Sequence, residues 1–313
     1  MMKRRLGRTD IVIEPLVLGT NVMGWTADEA TSFAVLDAFA AAGFTAIDTA
    51  DSYSRWVPGN DSESEKIIGR WMKARGNRDR MHVFTKVGSD MGQGKTDLSP
   101  KWIEEEVEAS LKRLQTDYID LYQSHWPDHT VRQEQTLGAY ERLIRAGKVR
   151  FIGCSNYDEA LLSEALRLAG TGLPRYETVQ NEFNLYTRDK YEGAVQNIVV
   201  REELSLIPYY SLAAGFLTGK YRSKADLGQS PRGQGIEKYL DEKGLRILSA
   251  LDAVSQSTGA TPAEIALAWI NAQPGVAAPI ASATSVKQLD SLARGARLAL
   301  SASQLKLLTD AGK

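Results

Sequence analysis

Four ionisable side chains fall where short apolar runs end: Asp48 after Phe44–Ile47, Tyr53 on the turn that follows, Lys86 after Val83-Phe84-Thr85, and His125 after Leu121-Tyr122-Gln123-Ser124. A phenol with an ordinary pKa near 10 is a poor acid at neutral pH, and a nearby ammonium lowers that value by favouring the phenolate. Lys86 is the expected source of that charge. A buried ammonium is costly without a counter-charge, which Asp48 supplies while holding the amine in place. A histidine on the neighbouring strand can hydrogen-bond the same substrate oxygen that Tyr53 protonates. Singly, a strand-end Asp reads as a turn residue and a Lys as a solvated one. Together the four describe an acid/base site for a carbonyl and alcohol pair, with Tyr53 as proton donor. Asp51, inside the same turn, is read as turn chemistry only.

These side chains must be brought to one place by the elements that carry them. Short apolar or β-branched runs at 15–19, 44–48, 82–86, 118–122, 149–154, 176–180, 205–209 and 276–280 alternate with amphipathic helices. The clearest helix spans 99–115, with Ser99 as N-cap, Pro100 at the first helical position, and Ile103, Val107, Leu111 and Leu114 on one face. Another runs from Gln133 to a stop at Gly147. Alternation of this kind implies parallel strands joined by right-handed crossovers, and eight units close into a (β/α)8 TIM barrel, an α/β fold. Reactive groups in such barrels sit at the C-terminal ends of the strands. Lys3 to Val12 reads as an N-terminal β-hairpin, Ser301 to Asp310 as an extra C-terminal helix, and 211–235 as a long loop without regular structure. The 313 residues are expected to form a single domain.

Composition excludes several classes. No apolar run reaches the roughly 20 residues of a membrane helix, and no apolar stretch follows the basic N-terminus, so a cytoplasmic address is expected. A formal charge of −1 gives no basic surface for nucleic acid or anionic membrane. The single cysteine, Cys154, lies in an apolar run and reads as a buried strand residue. His82, His125 and His129 form no metal-ligand spacing, which argues against a metal-dependent hydrolase. No Gly-x-Gly-x-x-Gly follows the first strand, so a dinucleotide would have to be held by other means. Ser155, Asn156 and Gln180 are neutral donor-acceptors at strand tips suited to that task. Trp25, Trp56 and Trp126, on loops after the first, second and fourth strands, suggest an aromatic-walled substrate pocket. Arg232 in the long loop is a candidate partner for an anionic group. One chain does not define an oligomeric state.

The ordered series Leu18-Gly19-Thr20, Asp48 to Tyr53, Thr85-Lys86, Ser124-His125-Trp126, Gly153-Cys154-Ser155-Asn156, Val179-Gln180-Asn181 and Leu217-Thr218-Gly219-Lys220-Tyr221 resembles the aldo-keto reductases over nearly the whole chain. The resemblance implies reversible carbonyl reduction, in which hydride passes from a nicotinamide to the carbonyl carbon of a small molecule while Tyr53 supplies the proton. It implies cofactor contacts at Gly19, Thr20, Asp48, Ser155, Asn156 and Gln180. Tyr209 would stack on the nicotinamide, with Tyr210 the alternative one position on. Ser211, Leu212, Gly215 and Lys220 would fold over the pyrophosphate. At the adenosine 2′-phosphate this sequence departs from the family: Ser282 and Gln288 stand where basic residues are common, with Thr284 a further cofactor contact and Lys287 adjacent, and Leu292 stands where an adenine-contacting Asn is common. NADPH is the expected cofactor and NADH the alternative. Two other readings share these residues: a cofactor-sensing regulatory subunit like the potassium-channel β subunits, and an NAD-linked sugar or alcohol dehydrogenase working oxidatively.

Overall fold

A computed structural model describes residues 3–229 and 233–313; Arg232 lies outside the described residues. The hairpin pairs β1 (Arg4–Arg5) with β2 (Val12–Ile13) antiparallel. The barrel strands are β3 (Val17–Gly19), β4 (Ala46–Asp48), β5 (His82–Val87), β6 (Ile119–Ser124), β7 (Val149–Ser155), β8 (Tyr176–Gln180), β9 (Ser205–Leu206) and β10 (Ile280–Ala281). They form an eight-stranded parallel sheet in the order β10-β3-β4-β5-β6-β7-β8-β9. A parallel bridge from Leu206 to Val276 and a 2.9 Å bond from the Ile280 N–H to the Pro208 carbonyl join the last strand to the first and close the ring. The expected strand at 205–209 stops at Leu206, because Pro208 has no N–H to donate to a ladder.

Around the ring lie α1 (Glu29–Ala41), α2 (Glu63–Arg75), α3 (Pro100–Leu114), α4 (Gln133–Arg145), α5 (Glu159–Ala169), α6 (Ala194–Arg201), α7 (Glu242–Thr258), α8 (Pro262–Asn271) and α9 (Val286–Arg297), with α10 (Ala302–Ala311) appended. Ser99 caps α3 as expected, its hydroxyl accepting from the Trp102 N–H. The 211–235 segment departs from expectation. It is built from short 3-10 turns at Ala213–Thr218, Lys224–Gln229 and Gly233–Tyr239, which satisfy backbone groups locally where side-chain periodicity is absent.

The period-two alternation of strands sets what enters the barrel. Leu6, Ile11 and Ile13 of the hairpin region pack with Val17, Ala46, Phe84, Leu121 and Ile207 into an inner apolar cluster that plugs the N-terminal end. Two residues further along the same strands come Asp48, Lys86 and Gln123, on the same inward face and one layer nearer the open end.

A polar clamp ties the lower end together. Asp120 of β6, its side chain 2% exposed, takes Arg78 at 2.8 Å, Arg150 at 2.7 Å and the Val83 N–H at 2.9 Å. Burial pushes its carboxyl up, but the His82 ring, the Arg78 charge, the Val83 N–H and Arg150 outweigh that and bring it to about 2. Since this lies below the unfolded value of about 3.9, the clamp contributes about 2 kcal/mol that is present above pH ~4 and lost as pH falls toward 2. Asp120→Ala, which leaves two guanidinium groups facing a void, should cost about 3–5 kcal/mol in urea unfolding at pH 7. A loss under ~1 kcal/mol would show that solvent already screens the cluster.

Candidate active site

Asp48 and Tyr53, from one stretch of chain, meet Lys86 and His125, from two distant ones, at the C-terminal rim. Lys86 is fully buried, and its Nζ donates to Asp48 Oδ2 at 2.6 Å, to the Thr49 carbonyl at 2.7 Å and to the Tyr53 hydroxyl at 3.0 Å. Three acceptors match the three N–H bonds of an ammonium. Burial opposes its charge, yet the Asp48 carboxylate and Tyr53 more than offset this, so the amine holds its proton more tightly than usual. The His125 ring stands edge-on to Tyr53, centroids 5.8 Å apart, and lies parallel to Trp126 at 5.9 Å. Burial and the Lys86 charge hold His125 well below its ordinary value, so it is a neutral imidazole.

One electrostatic expectation is reversed. Tyr53 holds its proton more tightly than an ordinary tyrosine: burial raises it most, Lys86 pulls it down, and Asp48 pushes it back up. The ammonium is expected to dominate, but burial of the phenol outweighs it, and the carboxylate that keeps Lys86 charged opposes its field at Tyr53. The phenol therefore keeps its proton through neutral pH.

Asp51 is also more than a turn residue. It is fully buried, and neither carboxylate oxygen has a hydrogen-bond partner among the described residues. Burial, with Glu65 and Glu106 nearby, raises it well above the usual carboxylate range. Those two glutamates share Arg113, which leaves Asp51 the carboxyl without a cation of its own.

Gln123 escaped notice in the sequence. Asp48 Oδ1 accepts from Gln180 Nε2 at 2.9 Å and from Gln123 Nε2 at 3.4 Å, and Gln180 Nε2 also reaches Gln123 Oε1 at 3.3 Å. The two amides thus hold the carboxylate oxygen that Lys86 leaves free. Thr20 donates to the Asp48 carbonyl at 2.8 Å, fixing the strand end from β3. Gly19 packs so closely that an added Cβ would meet Ile280 Cγ2 at 2.8 Å and Ser282 Oγ at 2.9 Å.

Beside this centre the neutral strand-tip groups form a connected row. Ser155 donates to the Gln180 carbonyl at 2.7 Å, Asn156 donates to the His125 carbonyl at 3.1 Å, and the Tyr209 hydroxyl donates to Asn156 Oδ1 at 2.7 Å. Tyr209 is thereby fixed at the row's end, whereas Tyr210 is 50% exposed. The following segment carries backbone strain: Tyr210, Ala213 and Ala214, none of them glycine, all have positive φ, as does Gly215. Such strain persists where a segment is shaped for a task, and this turn is held by its own backbone, the Ala213 N–H donating to the Tyr210 carbonyl at 2.7 Å and the Gly215 N–H to the Leu212 carbonyl at 2.8 Å. Ser211 is buried, Leu212 half-buried and Lys220 exposed on that segment.

A flat neutral amide ring beside His125 and a pyrophosphate against 210–220 fit this donor set, which is the chemistry of a nicotinamide dinucleotide. At the far end, Ser282 donates to Asn21 at 2.9 Å, and Gln288 Oε1 accepts from the Thr284 N–H at 2.8 Å and hydroxyl at 3.1 Å. The Ser285 hydroxyl caps α9, and exposed Lys287 sits in its first turn.

A cavity of about 500 Å³ opens above the four residues, lined by Tyr53, Arg55, Trp56, Ser89, His125 and Trp126 among others. Trp56 and Trp126, 51% and 45% exposed, wall it. Trp25 stands one ring further out, edge-on to Trp56 at 5.6 Å. Cys154 is buried on β7 and burial raises its thiol, so it is a packing residue.

Residues 15–313 match the sequence model of the Aldo/keto reductase family. The chain is 31% identical to the protein named Protein tas of Escherichia coli (strain K12), over 96% of this chain and 94% of that one. It is 33% identical to Aldo-keto reductase YhdN of Bacillus subtilis (strain 168), over 91% and 85%. It is 29% identical to the aryl-alcohol dehydrogenase [NADP(+)] of Phanerodontia chrysosporium, over 95% and 82%.

Proposed function

The chain belongs to the aldo/keto reductase family, and from that premise we propose that it reduces the carbonyl of a small aldehyde, ketone or sugar to the alcohol with NADPH. The observation that carries this reading is the three-way contact of Lys86 Nζ with Asp48, the Thr49 carbonyl and the Tyr53 hydroxyl, beneath a cavity walled by aromatic rings. A bound nicotinamide supplies the hydride. The chain's own residues do the rest. His125, neutral, donates a hydrogen bond to the carbonyl oxygen and polarises it; Tyr53 gives that oxygen its proton; Lys86 stabilises the phenolate left behind. Asp48 keeps Lys86 charged and in place, and Gln123 and Gln180 hold Asp48. Trp56 and Trp126 exclude water and grip the rest of the substrate.

Ser155, Asn156 and Gln180 would hold the carboxamide, Tyr209 the ring face, and Ser211, Leu212, Gly215 and Lys220 the pyrophosphate. The preference for NADPH is supported by relatives whose names carry NADP(+), and by the α9 N-terminus with Thr284, Gln288 and Lys287 around it. A fluorescence titration should give NADPH at least tenfold tighter binding than NADH, and equal affinities would overturn the preference. Absorbance assays with both nicotinamides against aldehydes, aldoses and quinones test the reaction itself. No turnover of any carbonyl, in either direction, would sink it.

A further inference from the structure

His125 can serve a carbonyl oxygen only if the ring nitrogen facing the cavity carries the proton, and a neutral imidazole has just one. Which nitrogen bears it is decided by the partner of the other. Here Nδ1 is engaged by the Ser89 hydroxyl at 2.8 Å, while Nε2 has no hydrogen-bond partner among the described residues. The Ser89 hydroxyl, in turn, has Nδ1 as its one hydrogen-bond partner among the described residues. If Nδ1 were the donor, the serine proton would lack an acceptor in the protein; with the serine donating, both groups are satisfied and the imidazole proton falls on Nε2.

The local chain is built to place that hydroxyl. β5 ends at Val87, and Gly88 then adopts φ +107°, a conformation open to glycine, with the Leu98 side chain so near that an added Cβ would stand 2.6 Å from Cδ2. This turn carries Ser89 across to the end of β6, and the side chain of Gln93 clamps it by donating to the Ser89 carbonyl at 2.9 Å. The backbone of His125 is anchored too, its main-chain N–H donating to the Val87 carbonyl at 2.8 Å and its main-chain carbonyl accepting from Asn156, while Trp126 lies parallel to the ring face. Ser89 itself lines the cavity.

We propose that Ser89 is a positioning residue that fixes His125 as the Nε2–H tautomer, and so makes the histidine a hydrogen-bond donor to the substrate oxygen. The purpose assigned to this tautomer rests on the reductase reading; the tautomer itself does not. Because burial and the neighbouring Lys86 charge keep His125 neutral, the tautomer is observable at ordinary pH.

The chain has three histidines, so nitrogen-15 NMR of the ring nitrogens, with His125→Gln for assignment, reads the tautomer directly. The expected result is a protonated Nε2 and an unprotonated Nδ1 in the parent, and a mixture of tautomers in Ser89→Ala. Carbonyl turnover should fall roughly tenfold in Ser89→Ala through kcat, the loss of about one hydrogen bond's worth of orientation, with NADPH affinity unchanged and both properties restored in Ser89→Thr. A parent in which Nδ1 carries the proton overturns the proposal without any variant. So does a Ser89→Ala protein with unaltered tautomer. A chain that turns over no carbonyl yet shows the Nε2–H form, lost in Ser89→Ala, supports the role of Ser89 and sinks the reductase reading instead.

Discussion

Tyr53→Phe should lose about a thousandfold in kcat for carbonyl reduction while binding NADPH as tightly as the parent, since positioned general acids contribute 10²- to 10⁴-fold. The substitution deletes one oxygen and keeps the ring, so its packing against Trp56 and His125 survives. Lys86 loses one of its three acceptors but retains Asp48 and the Thr49 carbonyl, which hold the ammonium in place. The pH profile sharpens the test. Reduction needs the phenol protonated, and burial holds Tyr53 above its ordinary value, so the parent rate should stay level through neutrality and decline only beyond about pH 10. A rate that fell with a midpoint near 8 would mean that the Lys86 field outweighs burial after all. A Tyr53→Phe protein as active as the parent would remove Tyr53 from the chemistry.

How much of this was legible in the sequence depends on which physical signal each residue leaves. Asp48, Lys86 and His125 end apolar runs, and a strand's end is visible as the point where hydrophobicity stops. The same alternation identifies Gln123, two residues beyond inward-facing Leu121 as Lys86 is beyond Phe84, but a neutral amide draws no attention until its partner is seen. Ser89 could not be found that way. Its role depends on Gly88 turning the chain toward a different strand, a through-space relation with no period. Asp51 was misread because Asp is common in turns, while its side chain in fact points into a buried space already holding Glu65, Glu106 and Arg113. The sign of the Tyr53 shift was lost for a related reason. Pairing with Lys86 is readable from types and spacing, whereas the depth of burial that outweighs it exists only once the barrel closes. The long loop failed differently, since 3-10 turns carry no hydrophobic stripe to read.

Lys86→Met separates what the ion pair does for the fold from what it does for the reaction. Methionine fills most of the volume but leaves the buried Asp48 carboxylate with only the amides of Gln180 and Gln123, and strips the Thr49 carbonyl of its donor. Removing one member of a buried pair costs about 3–5 kcal/mol, most of it the uncompensated charge that remains. Asp48→Asn in the same background removes that charge while keeping an oxygen for Gln180, so the double variant should regain most of the lost stability in urea unfolding. Activity should not follow. Both proteins lack the cation that stabilises the Tyr53 phenolate as the proton leaves, and both should remain slower than the parent by 10²-fold or more, a deficit of about 3 kcal/mol in the barrel's hold on the transition state. The two readouts diverge only if Lys86 acts on the phenol as well as on Asp48. A double variant that recovered turnover together with stability would reduce Lys86 to a structural counter-ion, and the proton would then have to come from a group other than Tyr53 or from Tyr53 unassisted.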